Sequence, residues 1–280
     1  MINTTILLGV LLGALPILYG IAFFDYLLAF VTEDRTVRKL ARPLLMTAVG
    51  VNLLYVLGFT VFFEHIPMVN VFQAVGMVGF ALAAIYLWVE SRTKSLHTGP
   101  FVLFLVLIFQ LVSSLFPKLD REVPEILRST LFSVHVSAAV VGYSALALSG
   151  VFGMLYLMMY YRIRQKSFGL IFRRLPPLDV LDRMNVAAAM VGFGFLTLAI
   201  AVGSVWTARL FGDLGYLIRD PKILVAFLTW VVYAVALGGR WMPRWSGTHT
   251  AYSTTFGFAA VLFSIFAVNF LLSKFHVFTG

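Results

Sequence analysis

The chain has 280 residues, of which 61% are hydrophobic and only 12% charged, with a mean hydropathy of +0.95. So much apolar surface cannot be hidden inside a water-soluble core, and most of it must face lipid. The absence of cysteine excludes disulfides, thiolate zinc sites, iron–sulfur clusters, thiol redox chemistry and thioether-linked prosthetic groups on this chain. The net charge of +9 comes from short basic pieces flanking apolar runs, a membrane-topology pattern and not a nucleic-acid-binding patch.

Stretches of spanning length follow one another near 4–30, 42–63, 70–89, 100–116, 130–160, 184–208, 222–239 and 251–273. Each is close to or above the ~20 residues that a bilayer core requires. The pattern predicts an all-α fold, a polytopic membrane helix bundle with about eight transmembrane helices and no soluble domain between them. The first stretch, MINTTILLGVLLGALPILYGIAFFDYLLAF, lacks a basic segment before its apolar run and exceeds a signal-peptide core. It reads as the first transmembrane helix. Asn70 and Gln73 form a capping pair that opens the third helix just after Pro67, and Pro100 suits the first turn of the fourth. The fifth stretch is long enough to project beyond the hydrocarbon. After it, RRLPPLDVLDR joins helix-stopping prolines to acids that favour a helix start, and a short interfacial helix is expected there.

Lys and Arg set the orientation, because cytoplasmic loops retain positive charge. With the N-terminus outside, the inner loops hold Arg35, Arg38, Lys39, Arg42, Arg92, Lys94, Arg162, Arg164, Lys166, Arg173, Arg174, Arg183, Arg240 and Arg244, which is 14 of the 21 basic residues. The outer side holds Lys118, Arg121, Arg128, Arg209, Arg219, Lys222 and Lys274. An N-out/C-out arrangement in the plasma (inner) membrane is therefore expected.

The five histidines are the candidate metal ligands, since no thiolate competes with neutral imidazole. His97 and His249 fall in inner loops and read as solvated surface residues. His65, His135 and His276 fall at the outer end of the membrane. His135 shares a face of the fifth helix with Ala139, Gly142, Ser149 and Gly153, a small-residue stripe suited to close helix contact, so it points into the bundle. A hydrogen bond to a neighbouring helix would account for it as well as a ligand role would. The outer segment GSVWTARLFGDLGYLIRDPK places Trp206, Phe211 and Tyr216 beside Arg209, Arg219 and Lys222. Aromatics of this kind stack on planar ligands while cations pair with carboxylates, although an aromatic belt with anchoring cations uses the same letters. Asp25, embedded in AFFDYLLAF, lies near the cytoplasmic end and reads as interfacial.

Four stretches taken together carry a likeness to a known family: EHIPMVNVFQ, VHVSAAVVGYSALALSGVFGMLYL, LPPLDVLDRMN leading into GFLTLAIAVGSVW, and RDPKILVAFLTWVVYAVALGGR with the closing VNFLLSKFH. In them the chain resembles the CcsA/HemX cytochrome c assembly family, whose members handle haem at the outer membrane face. The resemblance implies that His135 and His276 are an extracytoplasmic pair of haem-iron ligands and that His65 belongs to a second, membrane-embedded pair. This chain departs from the family at two places: LFGDLGYLIRDPK lacks the family's tryptophan cluster, and Gly238 stands where the second embedded histidine is expected. Both departures bring it closer to the HemX-like branch.

The resemblance implies a single integral-membrane domain over residues 1–280 that binds and transfers a non-covalent b-type haem (heme b), a haem-delivery component and not an enzyme. Trp206, Tyr216, Arg209, Arg219 and Lys222 would complete the site. Its partners would be haem, the lipid bilayer and apocytochrome c or other maturation subunits, with no nucleic acid. The alternatives are a HemX-like membrane regulator of a tetrapyrrole-biosynthesis enzyme and a structural subunit of a larger membrane complex. The charge split generates the first prediction: a reporter fused at Gly280 should be active only if it functions outside the cytoplasm. Activity of a cytoplasmic reporter at that position would invert the assignment of every histidine.

Overall fold

The computed structural model describes residues 2–32, 34–115, 129–211 and 221–263. Among them every regular element is helical: α1 (Ile2–Thr32), α2 (Arg35–Phe63), α3 (Val71–Thr93), α4 (Gly99–Leu115), α5 (Thr130–Arg164), α6 (Leu170–Arg174), α7 (Leu178–Phe211), α8 (Pro221–Gly238), a 3-10 turn (Gly239–Trp241) and α9 (Gly247–Phe263). Six of these, α1, α2, α3, α5, α7 and α8, are long and apolar enough to cross a membrane, and α4 is a shorter apolar helix. The chain is a multi-pass, all-α membrane protein. α9 opens the last predicted span and is described as far as Phe263. A short helix, α6, does lie between the fifth and sixth spans, but it ends at Arg174, at the start of RRLPPLDVLDR; the acids of that stretch belong to the first turns of α7 and form no short helix of their own.

Two compact units make up the chain, Met1–Arg128 with Tyr161–Pro177, and Ser129–Tyr160 with Leu178–Gly280. In the first, local chemistry sets the helix ends. The Asp34 carboxylate caps α2 by accepting from the backbone N–H of Thr36 at 2.7 Å and Val37 at 3.3 Å, bonds that hold it below the usual carboxylate range. Asn70 accepts from the N–H of Gln73 at 2.9 Å, and the Gln73 carboxamide reaches back to the N–H of Val69 at 3.0 Å. The capping pair read from the sequence is thus in place, with its return bond one residue further out than the usual box.

The side-chain distribution of this unit is that of a protein dissolved in lipid. Ile6, Leu7, Val10, Ile17, Ile21, Phe24 and Leu28 of α1 are exposed, while Asn52, Gln73, Glu90 and Gln110 are buried. Gln73 is taken up by the cap of α3, and Asn52, Glu90 and Gln110 find partners on other helices, as lipid supplies none. Asn52 Nδ2 donates to Tyr19 Oη at 3.2 Å and lies 3.4 Å from Gln110 Oε1, and Ser114 Oγ donates to the Leu12 carbonyl at 2.9 Å. At the other end of the unit the Tyr26 hydroxyl donates to the Glu90 carboxylate. This pair was not singled out from the sequence, where Glu90 stands close to Arg92 near a helix end. Gly99 lets Tyr26 in: a Cβ there would overlap its ring and lie 2.9 Å from Tyr86 Oη. Asp25, one residue away, is half-buried, and its Oδ2 is enclosed without a hydrogen-bond partner.

In the second unit α5 packs on α7 and α9 through its small residues. A Cβ on Gly142 would lie 3.0 Å from Leu196 N, one on Gly153 2.5 Å from Thr254 Oγ1, and one on Gly150 would overlap Phe258. Ser149 Oγ donates to Asn185 Oδ1 at 2.7 Å, so the stripe read along α5 includes an interhelical hydrogen bond. Tyr233 of α8 fills the centre, packed with Leu146, Ala189 and Leu196, its hydroxyl within reach of the Leu146 carbonyl at 2.9 Å and that of Thr254 at 3.1 Å. A bidentate pair from Arg240 to Asp182, 2.9 Å at both nitrogens, ties the start of α7 to the end of α8. His249 beside them is exposed, as expected, and its Nδ1 lies 2.8 Å from Ser246 Oγ.

His97 corrects the reading of a solvated histidine. In the α3–α4 loop it is half-buried, its ring edge-on to Phe30 at 6.3 Å between centroids. Burial, with Arg38 nearby, pushes its pKa below the ordinary value. The unfolded chain then binds the proton more readily than the folded one, so stability is complete above the unfolded value of about 6.5 and falls as the pH drops below it. Thermal unfolding in detergent should show this loss between neutral and mildly acidic pH, and His97→Gln should flatten it.

Candidate functional site

α5 enters the second unit through Thr130, and five residues on it presents His135 to α7. The imidazole Nδ1 lies 2.8 Å from the Ala199 carbonyl oxygen. A carbonyl only accepts, so Nδ1 carries the proton and Nε2 keeps its lone pair. This tautomer leaves Nε2 as an acceptor, for a hydrogen bond or a metal alike, with the carbonyl of a neighbouring helix fixing the ring.

Three residues of α7 form the cradle. Ala199, Gly203 and Trp206 recur at steps of four and three, which brings them to one helix face. A Cβ on Gly203 would stand 2.7 Å from both Nδ1 and Cε1 of His135, so the ring fits only against glycine. The Trp206 indole lies nearly parallel to the imidazole, 6.5 Å between centroids and 19° between planes. Phe132, one turn before His135, packs on the same indole at 5.3 Å. Arg209 follows on the last turn of α7, exposed. His135, Trp206 and Arg209 therefore gather at one end of the α5–α7 pair, and the Arg240–Asp182 clamp closes the α7 start at the opposite end. Ala199, Gly203 and Phe132 were not singled out from the sequence. Their signal was present as the register of AIAVGSVW against LFSVH, but it becomes legible only once α5 and α7 are known to be neighbours.

His65 lies in the first unit, just past Glu64, whose left-handed backbone (φ 60°) ends α2. Its Nδ1 is 3.0 Å from the Ile66 carbonyl, and its Nε2 is buried with no hydrogen-bond partner. Phe59 and Phe63 pack around the ring at 5.3 and 6.1 Å. Tyr216, Arg219 and His276 lie outside the described residues, as does the Lys222 side chain. Among the described residues no group of three or more His, Asp or Glu is placed to hold a metal ion.

Residues 68–276 match the family model of the cytochrome c assembly protein. The chain belongs to that family. The match takes in His135, Trp206, Arg209 and His276 and begins beyond His65. Among curated relatives, the cytochrome c biogenesis protein CcsA of Chlorella vulgaris is 28% identical over 76% of this chain and 77% of its own length. Protein HemX of Brevibacillus brevis is 27% identical over 92% of this chain and 94% of its own. CcsA of Trieres chinensis is 25% identical over 98% and 96%. Length therefore does not separate the two kinds of relative. Gly238, the residue in place of the histidine expected from the family pattern, ends α8, and a Cβ there would meet nothing within 4 Å.

The fit of His135 to Gly203 is testable. Gly203→Ala should destabilise the protein by about 1–3 kcal/mol, the usual cost of overpacking. Gly194→Ala on the same helix, whose Cβ would meet nothing within 4 Å, should leave the melting temperature unchanged or raise it. Equal melting temperatures for the two variants would show that the ring is not confined by α7.

Proposed function

We propose that this member of the cytochrome c assembly family is a haem-binding and haem-transfer protein that handles haem at the extracytoplasmic face of the membrane. The observation that carries the reading is the His135 tautomer: its Nδ1–H is committed to the Ala199 carbonyl, and its Nε2 is left as a neutral nitrogen donor. Family membership and the name cytochrome c biogenesis protein among its relatives support the same substrate class.

In this reading haem is cargo, and the protein's work is to bind, orient and release it. His135 supplies one axial nitrogen and His276 the other. Trp206 and Tyr216 offer aromatic faces to the macrocycle, and Arg209, Arg219 and Lys222 pair with the two propionates. Two neutral imidazoles give the iron a six-coordinate, b-type character without a covalent link, so release needs no bond to carbon to be broken. Transfer to apocytochrome c or to another maturation subunit follows as the purpose of such a site. His65, with its enclosed Nε2, is a candidate for a second haem-related site in the other unit.

The test is absorbance spectroscopy of protein purified after expression with ample haem. Wild type should carry a six-coordinate b-type spectrum, His135→Ala and His276→Ala should each lose it or convert it to a five-coordinate form, and His65→Ala should disturb it less. Haem-free wild-type protein under these conditions would favour instead a HemX-like regulator of a tetrapyrrole-biosynthesis enzyme, the name HemX among the relatives being the observation behind that second reading.

A further inference from the structure

The segment that joins α5 to α7 is chemically unlike the rest of the chain. Over residues 162–174, RIRQKSFGLIFRR, it carries Arg162, Arg164, Lys166, Arg173 and Arg174, and no acid occurs between Arg128 and Asp179. Interleaved with these cations are Ile163, Phe168 and Leu170, all of them exposed. An apolar side chain of this size is exposed at a membrane boundary because it dips into the acyl region while the cations beside it stay at headgroup level.

The fold holds this segment in place and adds to its charge. An Arg174 guanidinium nitrogen donates to the Val31 carbonyl in the last turn of α1 at 3.3 Å. That contact brings α6 to the turn between α1 and α2, where the exposed Arg35, Arg38 and Lys39 follow directly. Arg162 further ties the segment to itself through Ser167 Oγ at 3.3 Å. One end of this unit thus gathers eight cations from two parts of the chain, Arg35, Arg38, Lys39, Arg162, Arg164, Lys166, Arg173 and Arg174. The described carboxylate beside them in the sequence, Asp34, is engaged in capping α2.

We propose that this surface is a binding site for anionic phospholipid headgroups of the adjoining leaflet. Interleaved aromatics and aliphatics choose a lipid surface over a soluble acidic partner: they have an apolar phase to enter only if the occupant is a bilayer. The cations then meet phosphate oxygens at the depth where the acyl chains begin. The charge attracts the lipid, the apolar residues fix the depth, and the Arg174–Val31 contact holds the segment against the end of α1. The inference does not depend on haem binding.

Full-length protein reconstituted in phosphatidylcholine vesicles containing a minor fraction of spin-labelled phosphatidylglycerol or spin-labelled phosphatidylcholine provides the test. The motionally restricted fraction should be several-fold larger for phosphatidylglycerol, and high salt should abolish the difference. R164Q/K166Q/R173Q should lose most of the selectivity, whereas R92Q/K94Q/R244Q, removing as many cations outside the α5–α7 segment and its apolar residues, should keep it. Equal loss in both variants would make the effect one of net charge and overturn the site. So would a wild type without salt-sensitive selectivity, a result that needs no variant to fold, or a soluble protein retained through the same cations in the absence of lipid preference.

Discussion

Lipid offers no hydrogen bonds, and most of the described structure answers to that constraint. The outward faces of the helices are apolar because nothing polar can be satisfied there. The inward faces carry Asn52, Gln110, Tyr26, Glu90, Ser149 and Asn185 in pairs because each needs a partner on another helix. Small residues follow from the same constraint. Where hydrophobic burial does not drive helices together, close approach must supply dispersion contact instead, and Gly142, Gly150 and Gly153 let α5 come near enough to its neighbours.

The His135 site is the same constraint turned to use. An imidazole among membrane helices must place its N–H somewhere, and the second lone pair of a helical carbonyl is an economical choice. Ala199 accepts it, Gly203 gives the ring room, and the tautomer follows without any charged group. A carboxylate in Ala199's place would hold the ring as well but raise its basicity and invite protonation, which removes a ligand nitrogen.

Hydropathy made the helical class and most helix positions legible, and turn chemistry made Asn70, Gln73 and Pro100 legible as start signals. What it missed has specific physical causes. α7 begins at Leu178, six residues before the expected span, because its first turns are amphiphilic: Asp179 and Arg183 pair at 3.0 Å across one turn and lower the apolar signal without weakening the helix. His97 read as solvated because its neighbours in sequence are polar, whereas its neighbour in space, Phe30, belongs to α1; Glu90, which was not singled out, likewise meets Tyr26 of α1. At the candidate site the sequence singled out His135 and Trp206 separately. The Ala199 carbonyl that sets the tautomer has no side-chain signature at all, and no reading of letters alone would have found it.

The central claim is that His135 offers Nε2 to haem iron, and chemical rescue addresses it most directly. His135→Gly leaves a space of imidazole size beside Gly203. The account predicts that this variant, loaded with haem, loses the six-coordinate spectrum of the wild type and regains it when free imidazole is added. A His135→Gly protein that keeps the wild-type spectrum with no imidazole present would contradict the claim, for the iron would then take its nitrogen from elsewhere.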